Sequence, residues 1–323
     1  MTLWIGIDEA GYGPNLGPLV VCASVWRADR AIELETWPER LAGLIRGAER
    51  AVADDVRLVI DDSKRVYQAG KGLAELERSV LALVGLCGGK AADVDALRCW
   101  LDATQAKLPA NGKLASLCRN GSPARLPTCN GAAAVDLKTL GSAMCAAGVE
   151  AVHLAGRIVD PHEFNRRLEE NDNKAAVLSE TTMELLCGLS ERFPEEDVIF
   201  LCDKHGGRDR YYALLCHFLP QERIEIVFEG AAQSVYRWAG QGGSREVRFS
   251  VKGERYLPTA AASMTAKYVR ELCIAEWNAF WLQKIPGLKP TAGYPVDAKR
   301  FRDAIAATAA ELGLSEAFYW RRK

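Results

Sequence analysis

The chain has no apolar run approaching the ~20 residues that cross a bilayer, although 49% of its 323 residues are apolar. A membrane-spanning role is therefore not expected. The opening MTLWIGIDEAG lacks the basic n-region of a signal peptide, and two acids follow almost at once. The cytoplasm is the expected compartment. Ten cysteines are present, but none stands in a C-x-x-C pair and none has the Cys/His spacing of a zinc site. Cys22, Cys187, Cys202, Cys216 and Cys273 fall in apolar patterns and read as small buried hydrophobes in a reducing compartment. Internal repeats and low-complexity tracts are absent. The net charge is only −1, so the whole chain carries no polyanion-binding footprint. Its distribution is uneven: from residue 240 onward, 14 Lys and Arg face 8 Asp and Glu. That basic third suits a polyanionic partner, and equally suits solvated helix faces.

What is present is a soluble-protein balance of apolar and charged residues, long enough for a sizeable core. Residues 2–9 read as a strand buried on both faces, and 18–26 as a second strand antiparallel to it. A short strand is expected at 56–61 and a helix at 72–87. Turn dipeptides crowd 104–134, so 90–148 is expected to be an insertion within a single domain spanning 1–323. Beyond it come a strand at 149–158 and a helix capped by Asp160 with Pro161 at its first position. That helix breaks at 171–173 and resumes to 193. Further strands are expected at 197–203, 223–229 and 246–252. Helices are expected from Gly206-Gly207 to 218, over 258–282, and over 297–312. The order predicts a mixed sheet with helices against it, with sites at strand ends.

Asp8 and Glu9 end the first apolar strand, where an isolated buried charge is prohibitively costly. Gly11 and Gly13 follow and let the backbone turn sharply beside a ligand. Asp203 ends the run V-I-F-L-C in the same way. Carboxylates at neighbouring strand ends form an oxygen-lined cavity that suits Mg²⁺ or Mn²⁺. Two such ions support an in-line phosphoryl displacement. Turn or helix capping is the plainer role for these acids.

These residues resemble the type 2 ribonucleases H, the group of ribonucleases HII and HIII. The family's opening G-x-D-E-x-G-x-G-x-x-x-G-P stands here as Gly6 to Pro18. Asp62-Ser63-Lys64 resembles its D-S-K segment, and Asp203 takes the place of its third carboxylate. VKGERYLPTAAASMTAKYVRE (251–271) resembles its K-(G/A)-(D/E) segment and the small-residue helix that follows. AGYPVDAKRF (292–301) resembles its G-Y-(G/P) loop. The resemblance covers roughly 1–65 and 150–323. It implies a ribonuclease H-like fold, a five-stranded mixed sheet flanked by helices. It implies that Asp8, Glu9, Asp203 and Glu254 bind two divalent ions, Mg²⁺ or Mn²⁺. The implied substrate is an RNA–DNA hybrid, cut to leave 3′-hydroxyl and 5′-phosphate ends. Tyr12 stands where the HII branch has Arg or Lys, and the spacing after Glu254 leaves Glu271 as a rival fourth acid.

Among other candidates, Lys252 and Lys267 are placed to hold phosphates and to offset carboxylate repulsion. Ser263 sits among small residues that let its helix approach the sheet. The resemblance implies that the Tyr294 ring stacks on a nucleotide sugar, with core packing beside Pro295 the plainer role, and by its position Tyr12 offers a ring likewise. His205 is a proton shuttle or a turn residue, the turn being the simpler role. Trp277, Phe280 and Trp281 fall at helical spacing and read as core. Phe318, Tyr319 and Trp320, before Arg321-Arg322-Lys323, are either a nucleic-acid contact or a docked terminus. The expectation is a metal-dependent endoribonuclease. A nuclease of the same fold acting on structured DNA or RNA, and a non-catalytic nucleic-acid binding module, are the alternatives.

Overall fold

Strict alternation decides the first strand. In the computed structural model, β1 (Thr2–Ala10) sends Leu3, Ile5 and Ile7 into one apolar cluster and Trp4 and Ala10 into another. β2 (Leu19–Ala28) divides the same way, with Leu19, Val21, Ala23 and Val25 on the first face and Val20, Cys22 and Trp26 on the second. Both faces are covered, as a near-continuous apolar run requires. The structure describes residues 1–48, 55–67, 72–102, 123–129, 135–171 and 173–322.

After a parallel two-residue pair, β3 (Ile45–Arg46) with β4 (Leu58–Val59), the chain rejoins the main sheet at β5 (Val149–Val159). β6 (Asp197–Asp203), β7 (Glu225–Glu229), β8 (Gln233–Ala239) and β9 (Ser244–Ser250) complete it. The order is β5-β2-β1-β6-β9-β8-β7. β1, β6 and β9 run parallel to one another, and every other pairing is antiparallel. The mixed sheet matches the sequence reading, but it has seven strands rather than five among the described residues. The excess lies at the β7–β8–β9 edge. Residues 233–239 (QSVYRWA) form β8, a strand that the turn-like flanks Gly230 and Gly240 hid among loop signals.

Among the described residues the α-helices are α1 (Trp37–Arg40), α2 (Ser63–Val66), α3 (Ala74–Leu86), α4 (Val94–Asp102), α5 (Leu137–Ala146), α6 (Pro161–Asn171), α7 (Lys174–Arg192), α8 (Tyr212–Phe218), α9 (Leu257–Lys284) and α10 (Pro295–Glu311). Asp160 caps α6 by accepting the Glu163 amide at 2.8 Å, and Asn173 caps α7 by accepting the Ala175 amide at 2.8 Å. One expected helix start moves. Gly206 and Gly207 hold positive φ of 54° and 79° in a turn, and α8 begins only at Tyr212. The helix start expected at Gly206-Gly207 is therefore not found there. Leu97 and Leu101 of α4, and Leu140 and Met144 of α5, are buried in the cluster that holds Trp4. Residues 103–122 and 130–134 of the expected insertion lie outside the described residues. Among the described residues, no helix is long and apolar enough to cross a membrane.

α9 lies directly on β1 and β2. A Cβ on Gly6 would stand 2.1 Å from the Pro258 carbonyl carbon, so only glycine admits the helix at that depth. Ser24 Oγ donates to the Pro258 carbonyl at 2.5 Å and Thr259 Oγ1 to the Leu201 carbonyl at 3.3 Å. The far half of α9 carries Trp277, Phe280 and Trp281 into a third cluster with Phe301, Ile305 and Tyr319. These aromatics are core, as their spacing predicts.

Candidate active site

β1 and β6 pair in parallel with Ile7 opposite Cys202. One residue beyond that last pair come Asp8 and Asp203, near enough for the charge of Asp203 to act on Asp8. Parity sends Asp8 to the α9 face and Glu9 to the other. β1 runs on to Ala10, still paired with β2, and the two carboxyls nonetheless meet: Glu9 hydrogen-bonds Asp8. Burial pushes the Asp8 carboxyl well above the usual carboxylate range, and the charges of Glu9 and Asp203 push it further the same way. Burial raises Glu9 too; Asp203 adds to that rise, while Lys64 and the hydrogen bond to Asp8 oppose it. A hydrogen bond from Ser263 favours the ionised form of Asp8.

The turn after β9 meets Asp203 directly. The Gly253 amide donates to Asp203 Oδ1 at 3.0 Å, and a Cβ on Gly253 would come within 3.3 Å of the Asp203 backbone. Lys252, just before it, holds a left-handed φ of 58° and is exposed. Glu254, the next residue, is half-buried and has neither hydrogen-bond nor ion-pair partner among the described residues. Its rival Glu271 is fully engaged. It accepts from Lys267 Nζ at 2.7 Å, Arg270 Nη1 at 3.1 Å and the Tyr67 hydroxyl at 3.2 Å. Lys267 is thereby committed to Glu271, with its ammonium also 4.7 Å over the Tyr67 ring.

Of the remaining sequence candidates, Ser263 is buried and its Oγ lies 3.0 Å from Ser63 Oγ, which brings the D-S-K segment to Asp8. Gly11 holds φ +90°, and a Cβ there would stand 2.5 Å from the Pro18 carbonyl; Gly13 faces open space. Tyr12 is half-buried, with Lys174 Nζ 4.6 Å over its ring. Tyr294 is 52% exposed and lies against the Arg270 guanidinium at 5.8 Å. His205 is a buried core residue between Ser179 at 3.1 Å and Thr182 at 3.4 Å. Burial holds its imidazole down at about 4. It stays neutral and packed, the turn role rather than the shuttle.

Sequence reasoning passed over Arg270 and Tyr67. Arg270 sits in a helical stripe that reads as an ordinary solvated face, and Tyr67 follows the recognisable D-S-K segment by three residues. Only the fold brings Arg270 beside Gly11 and Tyr294, and Tyr67 beside Lys267 and Glu271.

Carboxylates that repel one another at a buried strand end are chemically fitted to a hard divalent cation. Among the described residues no three His, Cys, Asp or Glu side chains are already gathered as a metal cage. Magnesium requires none, since it keeps several waters and takes one or two carboxylates plus substrate phosphate.

No family model matches the sequence, and no curated protein matches it. Solved structures similar to the chain at low identity include the following three. Ribonuclease H2 from Pyrococcus horikoshii OT3 is 16% identical, with 98% of this chain and 92% of that chain covered at a TM-score of 0.42. Ribonuclease HII from Archaeoglobus fulgidus, in its complex with PCNA, is 16% identical over 99% and 94% at 0.41. Bst ribonuclease HIII in complex with Mn²⁺ is 16% identical over 99% and 66% at 0.41.

Proposed function

We propose that the chain is a metal-dependent endonuclease that hydrolyses the RNA strand of RNA–DNA hybrids. The observation that carries this reading is the contact of Asp8 with Glu9, with Asp203 near enough for its charge, together with burial, to raise both. The resemblance of the Gly6–Pro18 motif to the type 2 ribonucleases H supplies the substrate class.

Asp8, Glu9 and Asp203 would hold divalent ions, with Glu254 reaching in from the turn anchored on Asp203. Bound there, such ions would supply an activated water and stabilise the leaving oxygen. Water adds across the scissile phosphodiester: its oxygen joins phosphorus and the bond to the 3′-oxygen breaks. The ends are a 3′-hydroxyl and a 5′-phosphate. The chain's own residues prepare this arrangement. Ser263 favours the ionised form of Asp8, the Gly253 amide fixes Asp203, and Lys64 partly offsets Glu9. The exposed ring of Tyr294 and the Gly11–Gly13 turn are the surfaces that meet the nucleotide.

A panel of labelled duplexes (RNA–DNA, DNA–DNA, RNA–RNA and DNA with a single ribonucleotide) with Mg²⁺, Mn²⁺ or chelator tests this. The expected result is metal-dependent cleavage of the hybrid, abolished in Asp8→Ala and Asp203→Ala. Cleavage confined to duplex DNA would transfer the activity to another substrate, and hybrid binding without turnover would leave a binding module.

A further inference from the structure

The turn that follows Glu9 is held by the other end of the chain. Arg321 is 1% exposed, and its Nη2 donates to the carbonyls of Gly11 and Pro14. Its amide donates to the Asn15 carbonyl at 2.8 Å, and Asn15 Nδ2 donates back to the Arg321 carbonyl at 3.1 Å. Leu16 forms a bridge with Trp320. The tail is itself anchored: the guanidinium lies 4.9 Å over the Phe164 ring. Asn165 donates to the Ala317 and Trp320 carbonyls at 3.1 and 2.8 Å and accepts the Arg322 amide at 2.9 Å. On the turn's other side, the Gly293 carbonyl accepts the Asn15 and Leu16 amides at 2.9 and 3.2 Å. Gly293 immediately precedes Tyr294.

A buried guanidinium normally lies against a carboxylate, because an unpaired charge is expensive to desolvate. Arg321 has no ion-pair partner among the described residues, and its Nε and Nη1 have no hydrogen-bond partner. Its donations go to backbone carbonyls of one turn. A charged donor to a carbonyl makes a stronger hydrogen bond than a neutral one, and two of them fix the curvature of that turn. The tail's aromatic residues are thus a docked terminus.

We propose that Arg321 is a positioning residue that sets the Gly11–Pro18 turn, and with it the substrate-facing Tyr12, from the opposite end of the chain. The substrate consequence rests on the nuclease reading; the positioning of the turn does not.

The test compares wild type with Arg321→Met, which keeps apolar bulk but no donor, and Arg321→Lys, which keeps a charged donor. Amide hydrogen exchange on the free proteins reads the turn without nucleic acid. Arg321→Met should speed exchange at Asn15 and Leu16 while amides of β6 (Val198–Cys202) stay protected, and Arg321→Lys should restore most of the protection. With a labelled hybrid, Arg321→Met should weaken binding about tenfold, the scale of one lost charge-assisted hydrogen bond. It should raise KM more than it lowers kcat. Unchanged exchange at Asn15 and Leu16, or an equal rise in β6, would overturn the positioning role. Faster exchange confined to the turn in a protein that never engages the hybrid would keep that role and refute the substrate reading instead.

Discussion

Ser263 and Ser63, 200 residues apart in the chain, place their hydroxyls 3.0 Å from each other beside Asp8. Ser263 also hydrogen-bonds Asp8, and this favours the ionised carboxyl. A donor to the charged form lowers a carboxyl's pKa, so its removal raises it. Ser263→Ala should therefore move the acid limb of the hybrid-cleavage pH profile to higher pH. An unmoved limb with full activity would show that the serine only packs.

The acids are mutually repulsive without metal, and stability should register it. The Asp8 carboxyl is raised in the folded state by burial, then by Glu9. Below the unfolded chain's value both states hold the proton, and the contribution is fully present. As pH rises through the raised folded value, the folded state must ionise against burial and repulsion, and that contribution is lost. Asp8→Asn should melt higher than wild type in chelator at pH 8 and lose that advantage in acid. Thermal melts at both pH values decide it; a destabilised Asp8→Asn at pH 8 would contradict the repulsion.

Gly6 admits α9 to the sheet. A methyl there meets the Pro258 and Thr259 backbone at 2.1 to 2.2 Å, which no rotamer change can relieve. Gly6→Ala should cost about 3 kcal/mol in urea unfolding, the upper range for overpacking. It should also impair cleavage, since α9 carries Ser263. A loss below about 1 kcal/mol would mean that the helix slides freely.

His153 is 7% exposed, and its Nε2 has no hydrogen-bond partner among the described residues. Burial, helped by Arg192, pushes it from 6.5 down to about 4. Between those values the unfolded chain binds a proton that the folded chain refuses, so stability falls as pH falls through that window. The loss from this residue approaches about 3 kcal/mol. His205 is lowered similarly and adds to the loss. Chemical denaturation across pH 4 to 7 should show a clearly shallower decline in His153→Leu. An identical slope in wild type and variant would place the acid lability elsewhere.

Much of this was legible in the sequence, and the reasons are physical. β1 and β2 announce themselves because burial on both faces leaves almost no polar residue. Asp8, Glu9 and Asp203 stand out because charge at the end of such a strand demands an explanation. β8 did not stand out, because Arg237 and the flanking glycines blur its alternation. The amphipathic spacing of α4 and α5 was overshadowed by the turn dipeptides between them. The choice between Glu254 and Glu271 lay beyond spacing. It took the fold to bring Lys267, Arg270 and Tyr67 around Glu271 and leave Glu254 without a partner among the described residues. The Arg321 contact with Gly11 and Pro14 joins the two chain ends, a separation that no local pattern encodes.

The most direct measurement is calorimetric titration of Mn²⁺ into the metal-free protein and into Asp203→Asn. Saturable binding to wild type, lost or strongly weakened in Asp203→Asn while the variant remains folded, is the expected result. Equal Mn²⁺ binding in both, or none in wild type with or without hybrid, would contradict carboxylates converging on a divalent ion.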